Sequence, residues 1–141
     1  METAPALNGL PALKEFDVTE SAQSAKCPLT AALTAIGGKW SLICLYWLDL
    51  EKRRFNELRR LMPDISHKVL TETLRGLERE GLICRTVYPE VPPRVEYYIS
   101  PHGESVRPII QIVRTWGHEH LDYLECKRLE DESNRSATPS A

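Results

Sequence analysis

The sequence predicts a mainly α fold with a small β-hairpin (α+β), and three observations carry that prediction. The stretch running from Ser66 to Gly81 reads as a capped helix, apolar on one side and cationic on the other. Two runs of strand composition, joined by a proline-rich loop, follow it directly. A long segment with a continuous apolar seam comes after them. In that order the elements make a winged helix-turn-helix with a long C-terminal dimerisation helix.

Residues 1–26 are rich in Ala, Pro, Ser and Glu, with Leu7, Leu10, Leu13 and Phe16 scattered among them, and are expected to be a flexible N-terminal arm. A first helix is expected over 28–36, opened by Pro28 at its first position. Gly37-Gly38 breaks it, and a strongly apolar helix over 39–50 follows, carrying Trp40, Leu42, Ile43, Leu45, Tyr46, Trp47 and Leu48. So wide an apolar face on so short a helix implies deep burial. Arg53-Arg54-Phe55 reads as an extended link, then 55–61 as a small helix with Phe55, Leu58 and Leu61 inward, ended by Pro63.

The helix over 66–80 is the best-defined element. At about 100° per residue, Leu70, Leu74 and Leu77 share one stripe, while Lys68, Thr71, Glu72, Arg75 and Arg79 point the other way. Ser66 is a good N-cap and Gly81 a good residue just past the end. The runs 82–88 and 94–99 have strand composition, and Pro89-Glu90-Val91-Pro92-Pro93 stiffens the loop between them. A two-stranded hairpin alone is marginal, so it must pack against the helices. Ser100 caps a final helix with Pro101 at its first position, expected to reach about residue 127. The chain is therefore expected to divide into the arm 1–26, one winged-helix domain over 27–128 whose DNA-binding and dimerisation surfaces are argued below, and a polar, disordered tail over 129–141.

Length and composition exclude several classes. A chain of 141 residues builds one domain, and 42% hydrophobic and 27% charged residues suit an ordinary globular protein. No apolar run approaches the roughly 20 residues of a membrane span, and no basic-then-apolar leader opens the chain. A cytoplasmic location is expected. Cys27, Cys44, Cys84 and Cys126 lie far apart, which disfavours a zinc site, and a disulfide framework is not expected in a reducing compartment. No phosphate loop, paired carboxylates or nucleophile–base set is present, so neither an enzyme nor a cofactor is expected. The formal net charge of −2 hides a local excess: residues 51–79 hold eight Lys/Arg against five acids, a segment charge of +3. Such a basic face suffices for phosphate contact.

The helices 55–61 and 66–80 form the helix pair, with 88–94 as the wing. The second helix then enters the major groove, offering Ser66, His67, Lys68, Thr71 and Arg75 to bases or phosphates. The same pattern, taken alone, also suits a solvated amphipathic helix; the hairpin and link favour the DNA reading. Arg53 and Arg54 would face the backbone, Arg59 and Arg60 either do the same or make a generic basic surface, and Arg94 is the wing's cation. Cys27 sits at a helix start beside Lys26, where both the helix terminus and the cation favour a thiolate. The alternative is a thiol packed against a dimer partner and inert. Cys44 and Cys84 read as core, Cys126 as exposed. His118 and His120 diverge by about 200° on a helix and cannot chelate one ion. The seam of the last helix, with Ile109, Val113, Trp116 and Leu121 as its interface anchors, exceeds what one small domain covers, so a second copy is expected to pack on it.

These residues resemble the HxlR-type family of bacterial winged-helix transcription regulators. The matching motifs are Cys27-Pro28, Ile36-Gly37-Gly38-Lys39-Trp40, Arg54-Phe55-x-Glu57-Leu58, Ile65-Ser66-x-Lys68-x-Leu70, Leu77-Glu78-x-x-Gly81-Leu82-Ile83, Pro92-Pro93-x-Val95-Glu96-Tyr97 and Trp116-Gly117, in the family's order over roughly 27–121. The resemblance implies a homodimer on pseudo-palindromic, double-stranded promoter DNA, and a response to electrophiles or oxidants through Cys27. A small-molecule effector is the alternative signal, and a winged-helix protein-interaction module without DNA readout is the alternative function.

Overall fold

The protein is described here by a computed structural model, which covers residues 27–137. The expectations for 1–26 and for 138–141 lie outside the described residues. Helix α1 spans Pro28–Ile36, with Pro28 at its first position. Helix α2, Ser41–Leu50, buries Cys44, Leu45 and Leu48 and lies at the centre of the molecule. Around it pack α3 (Phe55–Leu61), α4 (His67–Arg79) and the start of the last helix. Leu45, Leu58, Leu70, Leu74 and Leu77 are almost wholly removed from solvent and form the middle of the core.

The ends of α4 follow from its sequence. The Ser66 hydroxyl oxygen accepts the Val69 N–H at 3.1 Å, meeting one of the unpaired donors of the first turn. At the other end Gly81 adopts φ 74°, which lets its N–H reach Glu78 O and the Leu82 N–H reach Leu77 O, both at 3.0 Å. That pair of bonds is a Schellman motif, and Leu77 and Leu82 supply its apolar contact.

Strands β2 (Ile83–Tyr88) and β3 (Arg94–Ile99) pair antiparallel, from Ile83↔Ile99 to Tyr88↔Arg94. The sheet has a third strand. Arg53–Arg54, expected as a mere link, forms β1 and pairs with β3 through Arg53↔Tyr97 and Arg54↔Glu96. The order β1-β3-β2 puts β3 in the middle, so the hairpin is not left to stand as two strands.

Ser100 caps as expected, its hydroxyl oxygen accepting the Gly103 N–H at 2.9 Å, but the turn it opens is a 3-10 turn over Gly103–Val106. Helix α5 begins only at Arg107 and runs to Ser136, nine residues beyond the expected stop at 127. The tail expected to be disordered over 129–141 is therefore helical as far as Ser136. The physical reason is a charge ladder: Arg128 bonds Glu125 one turn before it and Glu132 one turn after. Among the described residues no single helix is long and apolar enough to cross a membrane.

Candidate nucleic-acid interface

Helix α4 divides cleanly. Leu70, Leu74 and Leu77 are buried, whereas His67, Lys68 and Arg75 are exposed and Thr71 is half-buried. The five residues expected to face DNA have different commitments. Ser66 is held as the cap. The His67 ring packs on Phe55, 4.7 Å between centroids, and so joins α3 to α4. The Thr71 hydroxyl donates to the His67 carbonyl at 2.8 Å. Lys68 and Arg75 keep their charged ends in solvent, with no ion pair among the described residues.

The flanking cations also differ. Pairing within β1 draws Arg53 inward, leaving its side chain 18% exposed, 3.6 Å from Glu51 and against the Trp47 ring at 6.0 Å. Its Nε is buried with no hydrogen-bond partner. Arg54 is exposed beside the wing, and Arg59 and Arg60 are exposed on α3. Arg94, expected to reach DNA from the wing, is instead clamped within it. Its guanidinium lies 4.1 Å over the Tyr88 ring and pairs with Glu90 at 3.3 Å and Glu96 at 3.8 Å. The loop tip is apolar, with Val91 fully exposed.

Sequence reasoning missed Arg85. It stands on β2 across a shallow cleft from Arg75, paired with Glu78 at 3.6 Å, and Tyr97 closes the floor. Burial pushes the Tyr97 hydroxyl pKa up, with Arg85 pulling partly the other way. The available signal was the Glu78 and Arg85 charges on either side of the Gly81 turn.

The seam residues Ile109, Val113, Trp116 and Leu121 lie on the open side of α5, and the last two are 60% and 64% exposed. Trp116 stacks on His120 at 4.8 Å and His120 on Tyr123 at 6.2 Å, so one face of the helix is an aromatic ladder. Leu29 and Leu33 on α1 are also exposed. Cys27 caps α1 and is 1% exposed; Cys44 is buried, Cys84 half-buried and Cys126 exposed. Among the described residues no cluster of three or more His, Cys, Asp or Glu is placed to hold a metal.

The family description of the HxlR-like helix-turn-helix matches residues 35–125, from the end of α1 through most of α5. The chain belongs to the HxlR-like helix-turn-helix family. This HxlR-like protein is a transcription regulator of the helix-turn-helix type. It is 50% identical over 99 residues to an HTH-type transcriptional regulator of Methanothermobacter thermautotrophicus, a match over 70% of this chain and 76% of that one. It is 46% identical over 99 residues to the HTH-type transcriptional regulator YdeP of Bacillus subtilis, a match over 70% of this chain and 77% of that one. Among solved structures, the redox regulator HypR in its reduced form is similar at 42% identity and TM-score 0.66, over 70% of this chain and 98% of that one. HypR in its oxidized form is similar at 43% identity and TM-score 0.63, over 66% of this chain and 96% of that one.

Proposed function

We propose that this regulator acts in the cytoplasm as a homodimer on pseudo-palindromic promoter DNA, each protomer laying α4 in the major groove. The division of α4 carries the reading: its leucines are spent on the core while Lys68 and Arg75 stand free on the other face. The exposed seam of α5 and α1 supports the second copy, whose two-fold axis would set the recognition helices about one DNA turn, roughly 34–36 Å, apart. Arg54, Arg59 and Arg60 are the backbone contacts, and Arg94 acts by holding the wing. The test is a gel shift against the gene's own upstream DNA. Lys68→Ala and Arg75→Ala should each cost about 1–3 kcal/mol of specific binding without unfolding the chain. If both variants bind like wild type, α4 is not the reader. Binding indifferent to sequence and salt would favour a protein-interaction module.

A second reading concerns Cys27. It caps α1 next to Leu29 and Leu33 of the seam, and the similar HypR structures are of a redox regulator in two states. Diamide takes two electrons from a pair of thiols and joins them as a disulfide. Here the pair would be Cys27 and a small thiol, or Cys27 and a cysteine of the second protomer. Wild type should then change its DNA affinity under diamide while Cys27→Ser does not. An unchanged wild type leaves Cys27 structural.

A further inference from the structure

Between α2 and α5 lies a groove of about 180 Å³, lined by Leu42, Ile43, Tyr46, Ile110, Val113 and Arg114. Its lining is apolar apart from the Tyr46 hydroxyl and the Arg114 guanidinium. The Arg114 guanidinium sits 4.8 Å over the Tyr46 ring. Elsewhere on the same helix Arg107 bonds Asp49, and Arg128 bonds Glu125 and Glu132. Arg114 has no carboxylate partner among the described residues. A guanidinium lying flat on a ring still offers its N–H edge to a planar anion.

Size limits what enters. An apolar cavity of about 150 Å³ takes up one benzene molecule, so this groove holds a single ring or a short branched chain. We propose that it binds small apolar monocarboxylates of benzoate size, the tail against Leu42, Ile43 and Ile110 and the carboxylate on Arg114. Helix α2 packs on α4, and α5 carries the seam, so an occupant wedged between them changes the angle between reader and dimer arm. The inference rests on the regulatory reading above and names a class of effector for it. Val113 belongs to both the groove and the seam, so in a dimer the second protomer borders the site.

Isothermal titration of the full-length protein with benzoate, and with neutral benzamide of the same shape, tests the assignment. Wild type should bind benzoate roughly tenfold or more tighter than benzamide, the difference a charged hydrogen bond makes. Arg114→Gln should erase the preference with an unchanged melting profile, and Val113→Phe, which fills the mouth, should abolish both heats. Equal binding of the two probes by wild type, or a preference that survives in Arg114→Gln, overturns the proposal. So does the absence of heat from benzoate, which leaves the groove to the second protomer's helix. Operator affinity measured on the same samples without probe reports separately on the DNA reading, because the heats need no DNA.

Discussion

Gly81 and Ser66 hold the two ends of α4 by local chemistry alone. Gly81→Ala should cost about 1 kcal/mol in a denaturant titration, because a Cβ is disfavoured at φ 74° although nothing lies within 4 Å to clash with it. Ser66→Ala should cost about 1 kcal/mol through the lost cap. Both roles were legible in the sequence, since a cap and a left-handed stop need only neighbouring residues. The same reasoning could not see that pairing of β1 draws Arg53 inward, or that Arg94 lies over the Tyr88 ring across the hairpin, because those depend on strand register. Burial likewise sets the thiols apart. Cys44 has its pKa pushed from 9.0 to about 12 by desolvation. The folded state thus keeps a proton that the unfolded chain releases, so this stability is whole below pH 9 and is lost as pH rises towards 12. Iodoacetamide near neutral pH should label exposed Cys126 first and leave Cys44 untouched until the chain opens. Early labelling of Cys44 would show that α2 is not the buried centre. Cys27, whose helix-terminal position favours a thiolate, is 1% exposed, so its reaction with iodoacetamide or diamide waits on local opening at the start of α1 and follows that of Cys126.

Each helix and both long strands were readable from periodicity and caps, and 55–61 and 94–99 match to the residue. Strand β1 was not, because two residues have no period and their pairing with β3 is set some forty positions along the chain. The final helix was misjudged for a related reason. Its last turns have no apolar stripe to read, and their helicity rests on the alternation of Glu125, Arg128 and Glu132. Arg128→Ala should therefore release the amides after residue 128 to fast hydrogen exchange while those around Ile110 stay protected. Unchanged protection in the last two turns would mean that something other than this ladder holds them. The wing offers a parallel test. Arg94→Gln unlocks Glu90 and Glu96 and should weaken operator binding with little change in its salt dependence, since a residue that positions the wing releases no counterion. A salt slope lowered by about one would instead put Arg94 on a phosphate.

At the scale of the molecule, α5 extends some 26 residues past Ile110, its last buried side chain, a rod of about 39 Å at 1.5 Å per residue. Trp116→Asp combined with Leu121→Asp should leave the monomer folded, because neither residue belongs to the core, and convert a dimer to a 16.1 kDa species in sedimentation. Wild type sedimenting at that mass already at micromolar concentration would remove the homodimer altogether. The root of this rod has a mechanical consequence. The Ser100 hydroxyl donates to Gly81 O at 2.5 Å, and Gly103 presses so closely on the Leu82 carbonyl that a Cβ there would stand 2.0 Å from its oxygen. The stop of α4 and the base of α5 are thus keyed together without a swivel. A torque applied far out on the rod should turn α4 with it, as a key turns its bit, and Gly103→Ala should strip the keyway.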